Sequence, residues 1–329
     1  MKKIIILLFL TIITVTSCSN DEKIILSEKI ASEVQQVIKL KNDSLIQAMM
    51  RSDLKIYKAL GTDDFKKNIQ SRTRNVSWAF RKQYTDGSYN IYDQYYIING
   101  TKTKRSEIIS ADKGYTFKWT NVSKETYISM LKLPFVLQDY LLILQYVNDG
   151  SGKWLIHRMD ITPVGRYGLT PFDFLEEAKK LEKKNFLLDA YFYTDTAIEW
   201  SKDIEGDIAY NIANEAQDYK KELAKILNKK YPFPIEVKEM KSRPLITDLT
   251  IKTAAEGMFP MIIYKTNLSD SISMVKEYEE LRLIAPKIYP DMDFSKKYAV
   301  YVMTKNVPDG HGGAELKSHE FRYKKDIVK

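Results

Sequence analysis

The sequence predicts an α+β chain: helices first, then strands joined by hairpin turns, then helices, then strands again. Three observations carry that expectation. Apolar residues recur at three- and four-residue spacings over 23–59. Tyr115, Phe117 and Trp119 alternate with Thr116, Lys118 and Thr120. Pro163, Gly165 and Gly168 punctuate the chain before a helical stretch, and Pro232 and Pro234 after it.

The N-terminus carries an address. Met1-Lys2-Lys3 is cationic, 4–13 is an apolar run broken only by Thr11, and the chain turns polar directly after Val15-Thr16-Ser17-Cys18. A membrane-spanning helix needs about 20 apolar residues, so this run reads as a signal peptide. The tetrapeptide resembles the lipobox of bacterial lipoproteins, an aliphatic residue and two small ones before the cysteine that receives the lipid. The resemblance implies a signal peptide over 1–17, lipidation of Cys18 and a lipid-anchored tether over 18–23. Ser19, in place of aspartate after the cysteine, points to the outer membrane. Ser19-Asn20-Asp21-Glu22 is similar to the export signal of Bacteroidetes-type lipoproteins and implies an outward-facing anchor. Cys18 is the only cysteine of the 329 residues, so no disulfide supports the fold.

The mature chain suits two domains. Over 24–165, Ile30, Val34, Val37, Ile38, Leu45, Ile46, Met49, Leu54 and Tyr57 form a helical face, with Asn42-Asp43-Ser44 as an expected interruption. Gly61 then stops the helix and Thr62-Asp63-Asp64 caps the next, which Phe65, Ile69 and Val76 would continue. Strands are expected at 89–98, 105–109, 115–120, 127–133, 139–147 and 153–161. The segment 139–147 is apolar on both faces, hence interior, and Asn148-Asp149-Gly150-Ser151-Gly152 is a turn.

This order resembles the NTF2-like (cystatin-like α+β cone) superfamily. Its carriers are Ser52-Asp53-Leu54-Lys55-Ile56-Tyr57-Lys58-Ala59-Leu60 ending the opening helix, and Gly152-Lys153-Trp154-Leu155-Ile156-His157 closing the meander. The resemblance implies N-terminal helices packed on a curved antiparallel sheet, with a cavity between them that Asp139 and Asp160 could line.

A helical connector follows over 166–230. Thr170-Pro171 is a helix start, and Leu175, Ala178 and Leu181 form its apolar face. A second helix carries Leu187, Ala190, Tyr191, Thr194 and Ala197; a third is expected over 208–227 with Ile212, Ala216, Tyr219, Leu223 and Ile226. The last segment, 231–329, alternates again at 245–251, 258–264, 298–304 and 319–323, around a helix at 271–283, and reads as a second small α+β domain.

Motifs for chemistry are sparse. The excess of 51 basic over 43 acidic residues is scattered rather than striped with aromatics, which argues against nucleic acid. No Gly-x-Ser-x-Gly elbow, Gly-x-Gly-x-x-Gly or Walker loop occurs. Of the three histidines, His157 reads as a structural strand residue. His311 and His319 are the metal-ligand candidates, near Asp309, Glu315 and Glu320, but their spacing matches no standard zinc motif, and no metal and no cofactor is expected. The expectation is a lipid-anchored envelope protein, held to the membrane through Cys18, acting as a non-catalytic binding or scaffold module for an unidentified protein or small molecule. The alternative is a hydrolase or isomerase using the cone cavity, metal-assisted at His311 and His319.

Overall fold

The computed structural model describes residues 22–67, 84, 87–99, 104–135, 138–148, 150–202, 207–304 and 318–324, the last by backbone only. They form a mixed α+β structure of three sheets and the helices packed on them.

The chain opens with β1 (Lys23–Leu26), a 3-10 turn (Ser27–Lys29), α1 (Ser32–Arg51) and α2 (Leu54–Leu60). The expected helix from residue 23 is therefore corrected. Lys23–Leu26 pairs antiparallel with β2 (Asn90–Ile98), Lys23 opposite Ile98. The β-branched pair Ile24-Ile25 suits a strand, whose two-residue period sends the two side chains to opposite cores. The expected break at Asn42-Asp43-Ser44 is corrected too. α1 runs through it, because Asn42 is buried with both polar ends bonded and Ser44 donates to the Leu40 carbonyl at 2.8 Å. The break comes at Ser52, which is left-handed, and Asp53 caps α2 by accepting from Lys55 N and Ile56 N. Thr62 accepts from Phe65 N at 3.3 Å and starts the helical turn 63–67; Ile69 and Val76 lie outside the described residues.

Next come β3 (Lys104–Ser110), β4 (Tyr115–Asn121), β5 (Glu125–Pro134), β6 (Asp139–Asn148) and β7 (Trp154–Gly165). The main sheet is antiparallel in the order β1-β2-β5-β6-β7. One face, with Leu131, Leu142, Leu144 and Trp154, packs on Ile38, Leu45, Ile46 and Met49 of α1. The β3–β4 hairpin stands apart from this sheet and covers the other face with Tyr115, Phe117 and Trp119, against Ile128, Met130, Leu141 and Ile143. As its pattern predicts, β6 is interior and buried on both faces.

α3 (Pro171–Lys183) begins with a capping box between Thr170 and Asp173 and with Pro171 in the first turn. α4 (Leu187–Lys202) follows. The expected third helix starts late: Ile208–Tyr210 is a strand, β8, paired with β4 so that Tyr210 faces Tyr115 and Ile208 faces Phe117. Ile208 and Tyr210 are buried while Ala209 is exposed, a period of two. The helix, α5, spans Ala213–Lys230, and Ile226, expected on its apolar face, is 48% exposed.

The final sheet comprises β9 (Ile235–Glu236), β10 (Leu245–Ala254), β11 (Gly257–Lys265), β12 (Tyr298–Thr304) and β13 (Ser318–Lys324), ordered β13-β12-β11-β10-β9. β11 and β12 are parallel, linked by α6 (Ser271–Ile288), whose Met274, Tyr278, Leu281 and Ala285 cover one face. The connector helices enter more than one core. Phe174, Leu175, Ala197 and Ile198 join the first sheet's second face, whereas Leu188, Phe192, Leu227 and Tyr231 join the C-terminal core.

Candidate functional site

Among the described residues, those singled out in the sequence do not converge. Cys18 and His311 lie outside the described residues. His319 occupies β13 opposite Met303 and is followed by Glu320 opposite Val302. Among the described residues, no group of three or more His, Cys, Asp or Glu side chains could hold a metal ion. His157 lies half-buried in β7, and burial of its imidazole pushes its pKa down, opposed by Asp64.

Asp139 and Asp160 go to different neighbourhoods. Asp139, 6% exposed, accepts from Gly168 N at 2.6 Å and so ties the turn after β7 to the start of β6. Asp160 pairs at 2.6 Å with Arg158, whose guanidinium also binds Asp207. This triad borders a crevice of only about 10 Å³ with Phe117, Trp119 and Gln145. Arg158 and its two carboxylates thus bind the hairpin's last neighbour to the main sheet and leave little room for a ligand.

The most concentrated polar arrangement is one that the sequence reading missed. Tyr115 donates to Asp93 Oδ2 at 2.7 Å, and the Tyr95 and Tyr115 hydroxyls lie 2.5 Å apart. Lys113 Nζ donates to the same carboxylate and to the Tyr92 carbonyl, both at 2.8 Å, and lies 5.3 Å above the Tyr92 ring. Tyr92 and Tyr210 share a hydrogen bond of 2.9 Å. Burial, then Tyr95 and Asp93, drives the Tyr115 pKa far above the ordinary phenol range, so the ring stays neutral and donates.

Local sequence explains the placement. β2 slips register between Ile91 and Asp93, and a bulge of this kind re-aims side chains. Gly114, left-handed at φ 65, turns the chain so that Lys113 and Tyr115 flank Asp93. Asp93 and Lys113 border an open groove of about 600 Å³, with Ser27, Glu28 and Gln35 on its far side. Tyr115 is fully buried, so its hydroxyl is out of reach of a ligand in that groove. The network holds the β2–β4 crossing together and sets the Asp93–Lys113 ion pair at the border of the groove. The signal available in the sequence was the count of 22 tyrosines, which does not say which of them meet.

Compared with protein-family models, with curated proteins and with solved structures, the chain matches none.

Proposed function

We propose that this chain is a lipid-anchored envelope protein, outer-membrane and outward-facing, whose folded part is a non-catalytic binding or scaffold module. The observation that carries this reading joins the lipobox to the start of the fold. Glu22, four residues beyond Cys18, accepts from Ser106 Oγ at 2.6 Å and from Asn121 Nδ2, with Lys104 Nζ at 3.8 Å. Four residues span at most about 14 Å. A lipid on Cys18 would hold this end of the fold against the headgroups.

The surface there suits such a position. The register Lys23–Ile98–Glu125–Asn148–Trp154 marks one end of the main sheet. Lys23, Lys104, Lys124 and Lys153 are exposed around it, beside Ile98 and Val122. Lysines of this kind favour an anionic membrane surface. Among the described residues no helix is long and apolar enough to cross a membrane, and lipoprotein anchoring needs none. The NTF2-like relationship is part of the same proposal, supported by the helix-on-sheet packing of α1. The buried Tyr115 and the ion-paired Asp160 argue for binding rather than turnover.

Cells expressing wild-type protein and Cys18→Ser, fed a labelled fatty acid and then fractionated, test the reading. Label and outer-membrane recovery should both be lost in the variant. A variant that remains in the outer membrane at the wild-type level overturns it.

A further inference from the structure

Between the connector helices and the C-terminal sheet lies a half-open cavity of about 220 Å³. Its floor is apolar: Phe192 of α4, Tyr231 at the end of α5 and Leu249 of β10 are 9%, 6% and 5% exposed. Tyr191 forms a wall, and the exposed residues Phe233 and Asp248 stand at the mouth.

Asp248 differs from the acids around it. Asp195 binds Lys220, and Asp291 binds Lys230 and the Tyr231 hydroxyl. The Asp248 carboxylate receives only the adjacent Leu249 N, at 2.8 Å, and among the described residues no cation pairs with it. It stands where β10 slips register between Ile246 and Asp248, the kind of irregularity that re-aims a side chain. Although the residue as a whole is exposed, packing around its carboxyl pushes its pKa above the ordinary carboxylate value, with the Leu249 N–H opposing.

We propose that this cavity binds a small organic cation, an ammonium group on a compact apolar or aromatic body, with Asp248 as its counter-ion. The apolar floor takes the body, and the Asp248 carboxylate takes the charge. The volume falls below the roughly 300–1,000 Å³ of ordinary ligand pockets, which restricts the guest to a small amine. The inference rests on the binding-module reading, for which it names a ligand class, and does not depend on the lipid anchor.

Titration calorimetry on the full-length protein in detergent, with benzylamine and its neutral counterpart benzyl alcohol, tests it. Wild-type protein should bind one benzylamine about tenfold more tightly than benzyl alcohol, the size of one partly desolvated charge contact. Asp248→Asn should remove that preference and leave benzyl alcohol unchanged, whereas Phe233→Ala should weaken both. Both side chains are exposed, so circular dichroism and thermal midpoints should match wild type. Equal binding of the two probes, indifference of benzylamine to Asp248→Asn, or no binding of benzylamine overturns the cation site. Failure of the binding-module reading shows separately, as the absence of any partner or ligand on protein recovered from crosslinked envelopes.

Discussion

Asn42 of α1 donates to Ser129 Oγ of β5 at 3.0 Å, and its other amide atom accepts from Tyr146 of β6 at 2.8 Å. All three residues are fully buried. The helix is thereby set in one register on the sheet, which apolar contact alone would not specify. Asn42→Leu should destabilise the protein by about 2–6 kcal/mol, because two buried hydroxyls lose partners at about 1–3 kcal/mol each. Urea midpoints against wild type would measure this. A loss below about half a kcal/mol would show that the hydroxyls find other partners.

A second buried polar contact joins the connector to the C-terminal sheet. Asp189 of α4, wholly buried, accepts from Asp293 N at 2.6 Å and pairs with Lys296 just before β12. Removing one member of such a pair leaves a buried charge uncompensated, typically at about 3–5 kcal/mol. Lys296→Met is expected to fall in that range, and Asp189→Asn/Lys296→Met to recover part of the loss. A double-mutant cycle by chemical denaturation decides it: additive losses would mean that the pair does not couple the two segments.

Elements with strong local signals were legible in the sequence. Thr170-Pro171-Phe172-Asp173 carries a complete capping box, and Tyr115, Phe117 and Trp119 alternate with polar residues because only one side of the hairpin is buried. The misread elements, β1 and β8, are short strands whose identity comes from partners far along the chain. In segments this short an alternation is too brief to stand out from the sequence alone, and Ile208 and Ile212 fit a helical spacing as well as a strand and a helix cap. The Asp93 network was illegible for a related reason. Residues from β2, β4, β8 and the β3–β4 turn meet through tertiary packing, and none is unusual in its own segment.

Gly165 ends β7 at φ 151, in register with Asp139, and a Cβ placed there would lie 1.9 Å from the Leu169 carbonyl oxygen. The obstacle is backbone, held by the mutual Arg166–Leu169 hydrogen bonds of 3.0 and 2.9 Å, so no side-chain rotation relieves it. Gly165→Ala should cost more than the roughly 1–3 kcal/mol of ordinary overpacking. Gly150→Ala is the control, since its φ of 88 is also left-handed but nothing lies within 4 Å of its added Cβ. Thermal midpoints should fall much further for Gly165→Ala; equal shifts would assign the effect to φ alone.

Asp139 gives the turn beyond Gly165 a dependence on pH. Burial raises its pKa above the ordinary 3.8, while the Gly168 N–H and Lys132 oppose the shift. A carboxyl whose pKa is higher folded than unfolded binds its proton more tightly in the native state. Its contribution to stability is therefore complete below the ordinary value of 3.8 and is lost as pH rises through the folded value. The amide introduced by Asp139→Asn would keep an acceptor for Gly168 N but could not ionise. The stability of wild type minus that of Asp139→Asn should accordingly be greatest at the acid end and decline to a plateau toward neutrality. Other carboxylates titrate alike in both proteins and cancel in the difference. Urea unfolding of the pair at intervals from about pH 3 to about pH 7 reads this directly. A flat difference would mean that the Gly168 N–H and Lys132 offset the burial in full, and a difference rising with pH would mean that they dominate it.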